Sequence, residues 1–403
     1  MTEPIPRVRG SAGEVFRAFL VLGMTSFGGP VAHLGYFRTA FVERRGWITE
    51  REYAELVALC QFLPGPASSQ VGFALGLLRA GTRGALAAFA GFTLPSAVLM
   101  VAFAYGASLL SGPVAEGALA GLKVVAVAIV AQAVWAMART LTPDGRRAGI
   151  AVGAVVIATL FAGSVGQIAA LVLGAGAGLL LCRGVADAAA SPLRFPVRRS
   201  VAVVCLAVLV GILVLAPVVA AVTGSGSAQL FDVFSRAGAL VFGGGHVVLP
   251  LLQAGVVDPG WVDDGTFLAG YGAAQAVPGP LFTFAAYLGA VSSVGPGGVV
   301  GALIALVAVF LPGMLLLVGI LPFWNSLRRR GGVQAAIRGA SAAVVGILAA
   351  ALYSPVFTTA VTGPASFCLA VVCFALLTAG RMPPWVVVIV GAVGGVALSF
   401  LPL

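Results

Sequence analysis

The chain has 403 residues, of which 60% are hydrophobic and only 9% charged, with a mean hydropathy of +1.09. Soluble domains run about 45–50% apolar and about 25% charged, so the composition excludes a soluble enzyme, a nucleic-acid-binding protein and a disordered chain. The net charge of +10 then points to Lys/Arg-rich cytoplasmic loops of an integral membrane protein rather than to a nucleic-acid partner.

A helix crossing the hydrocarbon core needs about 20 apolar residues. The first apolar stretch, 12–37, is interrupted by Phe27-Gly28-Gly29-Pro30, and the second, 53–78, by Pro64-Gly65-Pro66. Unbroken spans follow at 85–110 and 118–138. The stretch 148–182 is too long for one helix and divides at Gly163-Ser164-Val165-Gly166; 200–222 is a single span. The pattern then recurs, with 231–253 broken at Gly243-Gly244-Gly245 and 267–290 broken at Pro278-Gly279-Pro280. Spans at 298–321, 336–353, 356–378 and 384–402 complete it. Pro removes a backbone donor and Gly is a poor helix former, so each interrupted stretch is predicted to break there. Inside a membrane such backbone survives only where protein or a water-filled cavity satisfies it. No cleaved signal peptide is expected, because the first apolar stretch lacks a small-residue cleavage site. The five cysteines, Cys60, Cys182, Cys205, Cys368 and Cys373, show no metal-ligand spacing and read as packing residues.

The recurrence is an internal repeat. Trp47 and Trp261, Gln61 and Gln275, and Pro64-Gly65-Pro66 and Pro278-Gly279-Pro280 are each 214 positions apart. Phe27-Gly28-Gly29 and Phe242-Gly243-Gly244 are offset by 215, as are Lys123 and Arg338, while Leu94-Pro95 and Leu311-Pro312 are offset by 217. We divide the chain into an N-terminal repeat (1–190), a linker carrying one transmembrane helix (191–228) and a C-terminal repeat (229–403). A single linking span inverts the second repeat if each repeat crosses an even number of times. The charges agree with that. Loop 38–52 carries Arg38, Arg44, Arg45 and Arg51, whereas its counterpart 254–266 has no Lys or Arg and carries Asp258, Asp263 and Asp264. By the positive-inside rule the first loop is cytoplasmic and the second is outside, with the N-terminus cytoplasmic. If the four broken stretches are re-entrant hairpins, every basic residue outside the apolar runs falls on the cytoplasmic side, so nine crossings are preferred to thirteen. A hairpin arm of about a dozen residues is about 18 Å long, enough to reach the midplane. The expected fold is an all-α polytopic membrane protein of two inverted-topology repeats with re-entrant helical hairpins, joined by one transmembrane helix. Inverted repeats with sites at broken helices are a plan of secondary transporters.

Candidate binding groups follow from the breaks. Pro66 suits the first turn of a helix, leaving N–H groups free near Ser68 and Ser69, and Pro280 with Thr283 repeats the arrangement. Two such N-termini meeting from opposite sides suit a small oxyanion. Gln61 and Gln275 precede the Pro-Gly-Pro turns and could support them. Gly28, Gly29, Gly243 and Gly244 allow either close backbone approach to a ligand or helix packing. His33 and His246 are the only histidines; packing is the favoured role for each, with His246 retained among the binding candidates. Lys123, the only lysine, and Arg338 lie within apolar runs, where a cation is either functional or snorkels to the interface. Together they would balance a dianion. Arg236, four residues after Asp232, reads as a local ion pair. Glu55 reads as solvated at the interface. No serine-nucleophile signature or phosphate loop is present, and neither a metal nor a cofactor is expected.

Phe27-Gly28-Gly29-Pro30 with His33, Val42-Glu43-Arg44-Arg45-Gly46-Trp47 and Gln61-Phe62-Leu63-Pro64-Gly65-Pro66, followed by Phe242-Gly243-Gly244-Gly245-His246-Val247-Val248-Leu249-Pro250 and Gln275-Ala276-Val277-Pro278-Gly279-Pro280, resemble the chromate ion transporters of the long, two-domain type. The resemblance covers nearly the whole chain. It implies a bacterial inner-membrane carrier, not an enzyme, that exports chromate, with sulfate as the related oxyanion and the membrane potential or proton gradient as energy source. The lipid bilayer is then the protein's setting, and a homodimer is compatible with this reading. Sulfate or another oxyanion is the alternative substrate. A weaker resemblance, through Glu55, Gln61-Phe62-Leu63-Pro64 and Ser68-Ser69, is to the undecaprenyl-pyrophosphate phosphatases. The chain departs from that family at Gln61 and at Gln70-Val71-Gly72, and its core is poor in carboxylates and histidines.

Overall fold

The computed structural model describes residues 10–109, 112–161, 163–182, 195, 197–242, 245–327 and 330–400. All regular structure among them is helical. The N-terminal repeat comprises α1 (Ala12–Thr25), α2 (Gly29–Phe37, prolonged by a π turn over Arg38–Arg44), α3 (Glu50–Phe62), α4 (Ala67–Leu109), α5 (Pro113–Leu141), α6 (Gly145–Leu160) and α7 (Ser164–Leu181). The linker contributes α8 (Arg199–Thr223). The C-terminal repeat comprises α9 (Gly226–Leu240), α10 (Val248–Val256), α11 (Asp264–Ala274), α12 (Phe284–Val291), α13 (Gly298–Ile320), α14 (Trp324–Leu327), α15 (Gly331–Ala351), α16 (Thr358–Ala360), α17 (Pro364–Thr378) and α18 (Pro384–Ser399). Among the described residues, six stretches are long and apolar enough to cross a membrane: Ala67–Ala107, Pro113–Leu141, Ser164–Leu181, Arg199–Thr223, Gly298–Phe323 and Gly331–Ala360.

Local chemistry sets the helix ends. Ser11 caps α1 by accepting from Glu14 N–H, and Asp144 caps α6 by accepting from Arg147 N–H. Thr49 and Glu52 form a reciprocal capping box at α3. All four interrupted stretches break where the glycines and prolines stand, leaving arms such as α11 (11 residues, about 16 Å) that are short against a core of about 30 Å. The second arm of the 53–78 hairpin and the span 85–110 stay distinct within α4, which folds back on itself at Ala80 and Gly81, where the dihedrals are non-helical and Gly81 has φ of 65°, so that Gly76 packs on the Gly84 backbone. One boundary differs from the sequence expectation. The stretch 356–378 is not one helix. Pro364 starts α17, and the Ser366 hydroxyl accepts from the N–H groups of Thr362 and Gly363.

The two repeats interlock. α5 of the first packs on α17 and α18 of the second, and α15 of the second packs on α6 and α7 of the first. Both contacts use small residues at four-residue spacing: Gly117 and Gly121 against Gly391 and Gly395, and Gly174 and Gly178 against Gly339. A methyl on any of these would meet backbone or a neighbouring side chain of the partner helix, so glycine sets the approach of the helices.

At the centre the hairpin tips are tied to each other. Gly65 N–H donates to the Val241 carbonyl at 2.7 Å, and Gly279 N–H donates to the Ser26 carbonyl at 3.0 Å. The repeat offsets carry Gly65 to Gly279 and Ser26 to Val241, so these are the same bond made twice. In each, the tip of one repeat's second hairpin enters the break of the other repeat's first hairpin. Gly65 and Gly279 have φ of 123° and 100°. A methyl on Gly65 would lie 2.8 Å from Gln70 Nε2 and 3.1 Å from Gly313 Cα, whereas one on Gly29, with φ of 76°, would meet nothing within 4 Å. Both Gly29→Ala and Gly65→Ala should lose about 1–3 kcal/mol through backbone strain. Gly65→Ala should lose more because it also displaces Gly313. Thermal unfolding in detergent checks the order.

Candidate functional site

The Pro-Gly-Pro turn of the N-terminal repeat is held from within. Gln70, fully buried on the first turns of α4, donates its Nε2 to the Pro64 carbonyl at 3.1 Å and to the Gly313 carbonyl at 2.9 Å. Gln61 instead is exposed and lines a cleft. Gln70 was legible only as the last residue of Pro-Gly-Pro-Ala-Ser-Ser-Gln, since its second partner lies 243 positions away. His33, on α2, closes the other side of this turn. Its Nε2 donates to the Ser26 carbonyl at 3.1 Å, which fixes the tautomer, and its Nδ1 faces Ser68 Oγ at 3.4 Å. Ser69, at 3% exposure, has no partner for its hydroxyl, and neither do Ser26 and Thr93.

The repeat-related turn is built differently. Pro280 leads into a 3-10 turn over Leu281–Thr283, and Thr283 donates both its N–H and its hydroxyl to the Pro280 carbonyl, at 3.0 and 2.8 Å. Gln275 is buried with Nε2 unpaired, Pro278 lies in the turn beside it, and His246 Nδ1 pairs with the Tyr271 hydroxyl at 2.7 Å. Gly28 and Gly29 both take positive φ in the break between α1 and α2, and Pro30 there touches the position of Gly245. Gly243 and Gly244 lie outside the described residues.

Lys123 and Arg338 are brought to different surroundings. Arg338 lines a cleft of about 650 Å³ between α3 and α15, together with Arg51, Glu55, Ala58, Gln61, Phe62, Arg147 and Gln334. Its guanidinium donates to Gln334 Oε1 at 3.3 Å and to the Cys182 carbonyl at 3.4 Å. Lys123 does not line that cleft. Its ammonium sits against the start of α11, 2.6 Å from where a methyl on Gly265 would be. Burial works against the Asp263 carboxylate there, but hydrogen bonds to Thr266 and the charge of Lys123 outweigh it and hold Asp263 below its ordinary value. Next along, Gly272 packs directly on the Leu122 carbonyl, which closes α11 onto α5. Arg236 and Asp232 form the expected ion pair at 2.8 Å.

The arrangement has the parts of a membrane transport protein: two interlocked repeats, broken helices meeting at the centre, and a cleft lined by three arginines. The comparisons make the class specific. The chromate transporter family model matches residues 13–180 and 228–396, one stretch in each repeat. A probable chromate transport protein of Synechococcus elongatus is 30% identical over 347 residues, covering 85% of this chain and 84% of the relative. The chromate transport protein of Pseudomonas aeruginosa is 30% identical over 356 residues, covering 87% and 82%. That of Cupriavidus metallidurans is 27% identical over 365 residues, covering 87% of each. No solved structure matches the chain. The chain belongs to the chromate transporter family, and it is accordingly a multi-pass membrane transport protein and not an enzyme.

Gln70→Met would leave the Pro64 carbonyl without its partner in the core and remove the tie to the Gly313 carbonyl of α13. A buried group left without its partner costs about 1–3 kcal/mol, so this variant should melt several degrees lower, while Gln61→Met, in the cleft, should change little.

Proposed function

We propose that this protein is a secondary carrier that exports chromate across the bacterial inner membrane by alternating access between two inverted repeats. The observation that carries the reading is the inequality of two repeat-related interfaces. α11 is closed on α5, whereas their counterparts α3 and α15 are parted by the cleft. Gly272 corresponds to Ala58 and Leu122 to Ile337; the first pair is in contact, and both members of the second line the cleft. Exchanging the two arrangements between the repeats would close the cleft and open the other side, which is the rocking motion expected of such carriers.

In this reading the cleft opens to the cytoplasm, because loop 38–52 and the start of α6 place Arg51 and Arg147 at its mouth. The dianion enters past Arg51, Arg147 and Arg338, and settles at the hairpin tips Pro66–Ser69 and Pro280–Thr283. Arg338 balances its charge in the cleft-open state, and Lys123 takes the repeat-related role when the opposite side opens. The N-terminus is cytoplasmic and the broken stretches are re-entrant. Sulfate, of the same shape and charge, is the natural competitor.

The direct test is labelled chromate uptake into proteoliposomes, with and without an imposed pH gradient and excess sulfate. Saturable, gradient-sensitive uptake is expected, and its absence from folded, inserted protein would remove chromate as substrate. Arg338→Gln should raise KM about tenfold or more, since a hydrogen bond to a charged group is worth about 1.5–3 kcal/mol. Cysteines introduced by Ala58→Cys and Ile337→Cys, with the native cysteines replaced, should cross-link during turnover and halt transport until reduced. Undiminished transport with no cross-link would rule out this closure.

A further inference from the structure

The two repeats share their backbone plan but differ in chemistry at the centre. In the N-terminal repeat, Ser26, His33, Ser68, Gln70, Thr93 and Ser96 are all buried polar residues. The repeat offsets place Val241, Val248, Phe282, Phe284, Phe310 and Gly313 at the corresponding positions. Only Ser69 has a polar counterpart, Thr283, and that hydroxyl is already committed to the Pro280 carbonyl. The polar groups of the N-terminal repeat are physically connected. His33 bridges the Ser26 carbonyl and Ser68 Oγ, and the same Ser26 carbonyl accepts from Gly279. Phe92, which precedes Thr93, lies edge-on to the His33 ring with centroids 5.2 Å apart.

Three hydroxyls in this cluster, those of Ser26, Ser69 and Thr93, are buried to within 3% and have no partner. A buried hydroxyl without a partner costs free energy, and three in one repeat are unexpected in a purely structural core. Ser69 stands in the first turn of α4, whose leading N–H groups have no intrahelical acceptor and whose dipole end is positive; Ser26 ends α1, and Thr93 lies further along α4 next to Phe92, whose carbonyl faces Gly279. Hydroxyls and helix N–H groups are donors suited to a tetrahedral dianion, which offers four acceptor oxygens.

Resting on the transport reading above, we propose that the oxyanion site is one-sided: Ser26, Ser69, Thr93 and the first turn of α4 supply its direct donors, while the apolar counterparts in the C-terminal repeat form its wall. His33 is a positioning residue that ties the Ser26 turn to Ser68. A site whose direct donors are uncharged binds a dianion without a permanent ion pair and can release it.

The test is equilibrium binding of labelled chromate and labelled sulfate to purified full-length protein carrying Ser69→Ala, Thr93→Val or Ser26→Ala. Each should weaken oxyanion binding about tenfold or more, by the loss of one donor to a charged ligand, and Ser69→Thr should restore it. Thermal stability without ligand should hold or rise, because the deleted hydroxyls bond nothing; a merely structural role would lower it. Ser235→Ala, which removes a buried hydroxyl bonded to the Asp232 carbonyl, should leave binding intact. Unchanged binding in all three variants, with chromate uptake present, overturns the site and leaves the transport reading standing. Binding of sulfate but not chromate, lost with Ser69 and Thr93, upholds the site and overturns the substrate. No binding of either anion by folded wild type overturns both.

Discussion

A backbone amide inside a bilayer must find a protein partner, because an unpaired one costs several kcal/mol in hydrocarbon. In this chain the four hairpin breaks create such amides at the centre of the molecule. Two of them, at Gly65 and Gly279, are satisfied by the carbonyls of Val241 and Ser26. Each repeat therefore completes the other, and neither could leave its tips exposed to lipid. The positive φ at both glycines and the close approach of Gly313 to Gly65 follow from that requirement. So does the interlocking of α5 with α18 and of α15 with α7, which holds the halves at the distance at which the tips meet.

Much of this architecture was legible because it is written in residues that act locally. Pro64-Gly65-Pro66 breaks a helix wherever it stands, and the constant offset to Pro278-Gly279-Pro280 reveals the duplication without any contact being known. The split of 148–182 was equally local, since α6 ends at Leu160 and Gly163, with φ of 82°, stands as the N-cap of α7. The interior of 356–378 was not legible: its apolar run conceals a cap made by Ser366, a residue with no special signature in an apolar context. The candidate site was half legible for the same reason. Ser68 and Ser69 follow the turn and could be read from it. His33 reaches Ser68 and the Ser26 carbonyl through contacts that only the packed hairpins create, Ser26 and Thr93 carry no turn signature, and an isolated histidine in an apolar run looks like core.

In the transport reading the two repeats face opposite ways and offer two repeat-related closures, and small local terms decide between them. Lys123 beside Asp263, together with the bare Gly272 against Leu122, favours closure of one side. On the other side Ala58 and Ile337 are bulkier than their counterparts are at one position and branched at the other, and Arg51, Arg147 and Arg338 share one cleft. In the same reading Glu55 and the Asp144 paired with Arg147 offset only part of that positive charge, and a dianion entering the cleft offsets more of it. The ligand would then act on the equilibrium through its unequal interaction with the two states, which is the only way a ligand can move one.

Duplication also frees one copy to change its chemistry while the other preserves the geometry. The tips of both repeats had to keep glycine and proline, because the cross-repeat bonds depend on them. The positions behind the tips carried no such constraint. Polar groups there are costly unless bonded, and at the positions matching Ser26, His33, Ser68, Gln70 and Thr93 the C-terminal repeat is apolar, while Thr283, matching Ser69, bonds to its own turn. The N-terminal repeat keeps a full set, three of whose hydroxyls bond nothing within the protein. A site built from both repeats equally would need the same donors twice. A site on one repeat needs the other only as a wall that moves, and valine and phenylalanine at positions 241, 248, 282 and 310 are suited to that part.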